Sequence, residues 1–128
     1  MKKVLFSNKR VRPVFSDRRG DIFDILEDKV GHIGIVTFTK GAIRGNHYHK
    51  KSVQYSYVLD GKIELTVSRV DGSRKKKYIL RKDTFTTIPP RMIHTYKGLT
   101  KAVMLDMTTL SRMDDGYEKD TVRIEGKK

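Results

Sequence analysis

The sequence predicts an all-β protein of one domain, and three observations carry that prediction. β-Branched and aromatic residues recur in short runs, punctuated by turn residues about every 8 to 12 positions. Asp60-Gly61 and Asp71-Gly72 supply the small, left-handed-tolerant pairs that tight hairpins require. No segment carries a convincing amphipathic helical period, and the chain holds no internal repeat, low-complexity stretch or linker. At 128 residues, one domain over 1–128 buries roughly two-thirds of the surface its unfolded form exposes.

Taken in order, strands are predicted over Asp21–Leu26, His32–Lys40, Gly45–His49, Ser52–Leu59, Lys62–Val70, Lys76–Leu80, Thr84–Ile88, Met92–Lys97 and Ala102–Met107. The polar Met113–Glu118 stretch reads as a turn leading to a last strand, Thr121–Ile124. Side chains alternate across a strand. Gln54, Ser56 and Val58 therefore share one side, and Tyr55, Tyr57 and Leu59 the other. Ile33, Ile35 and Thr37 likewise oppose Val36 and Phe38. Both faces are partly apolar, as in a small barrel that also packs against a partner subunit, which predicts a homodimer. Tyr48, Tyr55 and Tyr57 fit packing or interface roles.

Composition bounds the function. Apolar residues make up 37% and charged residues 34%, and no apolar run approaches the ~20 residues that span a bilayer. Met1–Arg10 opens with basic residues but lacks the apolar stretch of about 7 to 15 residues of a secretory signal. It reads as mature sequence of a cytoplasmic protein. With no cysteine, disulfides and thiolate metal sites are excluded. The net charge of +13, from 28 basic against 15 acidic residues, favours an anionic partner such as a nucleotide diphosphate. The basic residues are scattered, at Lys2, Lys3, Lys9, Arg10, Arg18, Arg19, Arg74–Lys77, Lys127 and Lys128, with no nucleic-acid-binding motif among them. Nucleic acid is not the expected partner.

Three of the four histidines fall in one pattern. Five residues separate Gly41 from His47, one separates His47 from His49, four lead to Gln54 and six more reach Gly61. On a strand, His47 and His49 project together, roughly 7 Å apart along the chain. His94 follows Pro89-Pro90, a pair suited to setting the entry to its strand. His32 lies outside the pattern and reads as a hydrogen-bonded core histidine.

Gly41, His47, His49 and Gly61 match the first motif of the cupin superfamily at every spacing. The second motif is looser: Pro89 and His94 match, while Asp83, Arg91 and Gly98 replace glycine, glycine and asparagine. The resemblance implies a cupin jelly roll, a double-stranded β-helix with the motif residues at the barrel mouth. Arg44-Gly45-Asn46-His47-Tyr48-His49-Lys50 with Gln54 most resembles the nucleotide-sugar 3,4-ketoisomerases, which act on dTDP-4-keto-6-deoxyglucose. Asp17-Arg18-Arg19-Gly20 is similar to an entry strand of that family and of the related dTDP-4-dehydrorhamnose 3,5-epimerases. The likeness spans about residues 17–125. Gly34, Ile35 and Val36 depart from it, standing where the ketoisomerases carry tyrosine.

Two chemistries suit this pattern. In the first, His47 and His49 are the acid–base pair of an isomerase or epimerase that removes a proton beside a carbonyl of a nucleotide-linked keto sugar, for cell-surface glycan synthesis. Such help is worth roughly 10² to 10⁴ in rate. The resemblance puts His47 at the base position of the epimerases and His49 at the additional histidine of the ketoisomerases. Arg44 and Arg19 are candidates for the diphosphate or a developing oxyanion, with Gln54, His94 and Tyr96 completing the substrate site and Tyr96 a candidate proton donor. No cofactor is needed. In the second, His47, His49, Gln54 and His94 ligate Zn, Fe, Ni or Mn, although the neutral Gln54 amide gives a cation no charge compensation. The wording also resembles the zinc-binding cupin domain of bifunctional capsule-sugar enzymes. A non-catalytic sugar-binding module is a third reading, suggested by the missing tyrosine.

Overall fold

In a computed structural model, which describes residues 3–124, the apolar runs form strands in chain order as follows. They are β1 (Ser7–Arg10), β2 (Phe15–Asp17), β3 (Gly20–Ile22), β4 (His32–Phe38), β5 (Ile43–His49), β6 (Gln54–Asp60) and β7 (Ile63–Arg69). After them come β8 (Lys76–Leu80), β9 (Thr84–Ile88), β10 (Met92–Gly98), β11 (Ala102–Thr108), the single-turn helix α1 (Gly116–Asp120) and β12 (Thr121–Arg123). Glu125, Lys2, Lys127 and Lys128 lie outside the described residues. The predicted Asp21–Leu26 strand is shorter than expected, ending at Ile22, and β1 and β2 are additional. No helix among the described residues is long and apolar enough to cross a membrane.

Two antiparallel five-stranded sheets face each other, with orders β1-β9-β6-β11-β4 and β12-β5-β10-β7-β8, and β2-β3 forms a separate hairpin. This is the all-β jelly roll that the sequence predicts. Asp60-Gly61 turns β6 into β7, and Gly61 sits at φ 84°, a backbone state that a side chain opposes.

Inward-facing residues divide the barrel into two halves. At one end Phe38, Val58, Ile63, Leu65, Leu80, Ala102 and Met104 form a closed apolar core. Toward the other end the same strands turn polar. β6 runs inward from Val58 through Ser56 to Gln54, and β11 from Met104 through Asp106 to Thr108, in matching register. β10 runs from Tyr96 to His94 alongside. The strands that seal one end thus carry the chemistry at the other.

The outer face of the first sheet is apolar as well. Tyr55, Tyr57, Phe85 and Met107 are buried there with Val11 and Val53, beneath Phe23, Ile25, Leu26 and Val30 from the chain ahead of β4. The two-sided character of β6 therefore reflects cover by this chain's own N-terminal segment. Exposed apolar side chains remain on the edge strand β4, where Ile33 and Ile35 are 64% and 69% exposed.

The stretch read as a turn holds α1, a correction to the sequence reading. A helix of five residues is too short to show a period. It is fixed by tertiary bonds: Asp120 accepts hydrogen bonds from the backbone N–H groups of Lys51 at 2.8 Å and Ser52 at 3.3 Å.

Candidate active site

A bulge builds the site. Pairing of β10 with β5 slips between His94 and Thr95, so that His47 lies opposite His94 and Gly45 opposite Thr95. Gly45 (φ 97°) and Asn46 (φ 62°) carry the distortion. A Cβ on Gly45 would stand 2.8 Å from the His94 carbonyl oxygen, so only glycine lets β10 approach here. Asn46 ties the bulge to the residue after β12, with Nδ2 donating to the Ile124 carbonyl at 3.2 Å.

The result is a cluster of three imidazoles. Ring centroids are 4.7 Å apart for His47 and His94, 5.1 Å for His47 and His49, and 5.4 Å for His49 and His94. His47 lines a cavity of about 390 Å³ together with Arg44, Gln54, Tyr96, Asp106, Arg112, Tyr117 and Arg123. His49 and His94, 3% and 1% exposed, are set behind it and are not on the cavity wall.

Burial sets the charge state of this cluster. His47 is pushed down to about 4, first by loss of solvation and then by the charges of His49, Arg123 and Arg112. His94 is pushed down to about 3 by burial and by its two neighbouring imidazoles. His49 is also lowered, because burial outweighs the support of Gln54, Asp120 and Asp106. At neutral pH the three rings are uncharged. Burial and the Asp106 charge raise the Tyr96 hydroxyl well above an ordinary phenol, which makes it a reluctant proton donor.

Hydrogen bonds separate the rings further. His94 Nδ1 lies 3.1 Å from the Met92 carbonyl oxygen and so carries the proton, leaving Nε2 a buried lone pair without a partner. Ring nitrogens of the three histidines come within 4.8 Å of one another, a donor set that fits a divalent transition metal. Gln54 does not fit as the fourth ligand: its Oε1 faces His49 Nε2 at 2.9 Å and its Nε2 faces Asp106 at 2.8 Å.

Other expected residues fall elsewhere. Arg44 lines the cavity, its Nε donating to the Thr37 carbonyl at 3.2 Å and its guanidinium standing over Phe38. Arg19 does not reach it; on the β2-β3 hairpin its guanidinium pairs with Asp17 at 2.7 Å, where a two-residue separation makes the contact local. His32 is not the satisfied core residue expected, since its Nδ1 is buried without a partner.

Four cavity residues escaped the sequence reading. Asp106 was legible in principle, as an acid in the inward phase of β11 between Met104 and Thr108. Arg112 and Tyr117 were not, because the segment between β11 and β12 has no periodicity to place them, and the predicted strand at Thr121–Ile124 gave Arg123 no neighbour across the fold. The Tyr117 ring lies 4.4 Å from the Arg112 guanidinium and 5.9 Å from that of Arg123, with its edge toward His47 at 6.2 Å. The stacking adds to ion pairs that already partner both guanidiniums, Arg112 with Asp106 and Arg123 with Glu118, each at 2.8 Å.

Fold and site together define a small β-barrel that presents inward histidines and arginines at one end. Residues 34–108 match the family model described as Cupin domain, and the chain belongs to the cupin family. No curated protein matches it in sequence. Among solved structures it is similar to a sugar 3,4-ketoisomerase from Thermoanaerobacterium thermosaccharolyticum in complex with TDP, at 19% identity and TM-score 0.78, covering 93% of this chain and 88% of that one. It is also similar to a dTDP-4-dehydrorhamnose 3,5-epimerase from Sulfolobus tokodaii, at 18% identity and TM-score 0.75, covering 94% and 77%. A 3'-monoepimerase from Streptomyces bikiniensis in complex with dTDP-quinovose matches at 15% identity and TM-score 0.80, covering 98% and 73%. At these identities the likeness is one of fold.

Proposed function

We propose that the protein is an isomerase or epimerase of a nucleotide-linked keto sugar. One observation carries this reading: a neutral imidazole, His47, shares a cavity wall with three arginines, Arg44, Arg112 and Arg123. Arg44, which has no ion pair among the described residues, suits a diphosphate, with Arg112 and Arg123 beside it paired to Asp106 and Glu118, and the neutral imidazole suits removal of a weakly acidic proton. The structural neighbours that bind TDP or a dTDP-sugar support the ligand class.

The chemistry needs little else. A carbon next to the carbonyl loses its proton to His47; the C–H electrons form the enediolate double bond and the carbonyl electrons move to oxygen. A cavity arginine stabilises that oxygen. Returning a proton to the same carbon from its other face epimerises the sugar. Protonating the former carbonyl carbon, with the hydroxyl proton passing between oxygens, moves the ketone instead. Incubation with dTDP-4-keto-6-deoxyglucose and related nucleotide keto sugars in D₂O should place solvent deuterium on a ring carbon, read by mass spectrometry. No incorporation with any of them would remove the reading.

A second reading rests on the unpartnered Nε2 of His94. His47, His49 and His94 would hold a divalent Zn, Fe, Ni or Mn ion, with His49 giving up its hydrogen bond to Gln54 or to Thr121 to do so; such an ion when bound supplies Lewis-acid polarisation of a substrate oxygen. Elemental analysis of protein purified without a metal-affinity tag decides it; substoichiometric traces would rule this out.

For its setting we infer a homodimer of the cytoplasm serving cell-surface glycan synthesis. Exposed Ile33 and Ile35 on β4 support an apolar subunit contact. Light scattering should give twice the chain mass for wild type and a monomer for an Ile33→Asp, Ile35→Asp double variant.

A further inference from the structure

Asp106 is a carboxylate 5% exposed, placed between Met104 and Thr108 on the inward face of β11. Burying a charge there is costly unless its oxygens are bonded, and both are. Oδ1 accepts from Gln54 Nε2 at 2.8 Å, and Oδ2 accepts from Arg112 Nη2 at 2.8 Å. An amide can turn either way in its socket. Only one way suits Asp106, nitrogen toward the carboxylate, because the reverse would set two acceptors against each other.

That orientation has a consequence one residue further on. The Gln54 oxygen is left facing His49 Nε2 at 2.9 Å, and an amide oxygen can only accept, so Nε2 carries the ring proton. On the other side of the ring Nδ1 lies 3.2 Å from Thr121 Oγ1 and accepts from that hydroxyl. Both nitrogens of neutral His49 are committed. His47 makes no side-chain hydrogen bond among the described residues and stands on the cavity wall.

We infer that Asp106 is a positioning residue: through Gln54 it holds His49 in the Nε2–H tautomer and so reserves proton acceptance at the cavity wall for His47, a role that rests on the isomerase reading for its effect on rate. The relay is also tied to the loop outside the barrel. Arg112, which grips the second oxygen of Asp106, is stacked on Tyr117 of α1, and Thr121 at the other end of the relay follows α1 directly. The loop between β11 and β12 is therefore anchored to His49 at both of its ends.

The test reads the tautomer itself. In two-bond ¹H–¹⁵N correlation spectra of the full chain labelled with ¹⁵N-histidine, signals missing from a His49→Asn variant identify His49. Wild type should show a protonated Nε2 and an unprotonated Nδ1. Asp106→Asn, whose amide oxygen meets the donor Arg112 and whose amide nitrogen then faces Gln54, should turn the Gln54 amide over and shift His49 toward the Nδ1–H tautomer. It should also lower kcat for deuterium exchange, by no more than the roughly 10²- to 10⁴-fold that a positioned base supplies, with KM held within about twofold. Gln54→Leu removes the relay at its midpoint and should give the same tautomer change, so the question is answered even if Asp106→Asn does not fold. An Nδ1–H tautomer in wild type, or an unchanged tautomer and kcat in either folded variant, would overturn the inference. If the tautomers behave as described but wild type exchanges no deuterium, it is the isomerase reading that fails and the positioning role that stands.

Discussion

His47 is the residue on which the proposed chemistry turns, and its environment sets a measurable pH dependence. Its neighbours are cations and other imidazoles in a poorly solvated wall, so its proton is bound weakly, down to about 4. A base must be unprotonated to act, and kcat/KM reports the free enzyme. The acid limb of kcat/KM for deuterium exchange should therefore lie well below the 6.5 of an ordinary histidine. A limb at 6.5 or above would show that some other group is the base. His47→Asn should abolish exchange while leaving the fold intact, because the ring makes no side-chain hydrogen bond among the described residues.

At the scale of elements, the turns explain the departures from the second cupin motif. Asp83 and Arg91 stand where that motif has glycine, and both adopt a left-handed backbone that favours glycine, at φ 71° and φ 62°. Such a residue costs about 1 to 2 kcal/mol relative to glycine. Arg91 is exposed, and its contact in the turn is a backbone N–H donating to the His49 carbonyl at 2.8 Å, which glycine would preserve. Arg91→Gly should thus stabilise the protein by about 1 kcal/mol in urea unfolding, after allowing for the freer unfolded chain. Asp83→Gly should gain less, since Asp83 accepts a hydrogen bond from the Tyr57 hydroxyl at 2.6 Å. Equal gains at both positions would refute this account. The bulge gives the opposite case. Gly45→Ala adds a Cβ against the His94 carbonyl at an unfavourable φ and should cost about 1 to 3 kcal/mol, with the His47–His94 pairing disturbed.

For the whole molecule, the histidine cluster links stability to acid. The unfolded chain binds a proton at each ring near pH 6.5, whereas the folded chain resists until about 4 at His47 and about 3 at His94. Protonation therefore favours the unfolded state within that interval. Stability should be full above pH 6.5 and decline as pH falls, by about 1.4 kcal/mol per pH unit for a fully buried ring and by less at the partly exposed His47, where solvent screens the charge. Below about pH 4 His47 no longer adds to the slope, whereas His94 continues to about pH 3. Urea titrations between pH 7.5 and 4.5 measure this, and a His94→Gln variant should lose about one proton of slope. Stability that is flat across this range would contradict a neutral buried cluster.

The strands and the first histidine pair were determined by the sequence alone, because both follow from a period of two that each segment carries within itself. Lys76–Leu80 and Thr84–Ile88 stand as strands with the expected bounds, and His47 and His49 share one β5 face. The covering of Tyr55 and Tyr57 was decided by tertiary structure, since Phe23 to Val30 reach them only across the fold. So was the division within the histidine pair. The spacing made His47 and His49 equivalent, but the bulge, the register of β6 with β11 and the return of the chain through α1 gave His49 a partner on each nitrogen and left His47 facing the cavity. Arg112, Tyr117 and Arg123 joined the site by the same route. Local alternation specifies which way a side chain points, whereas what it meets there depends on residues far away in the chain, and only the packed molecule brings those together.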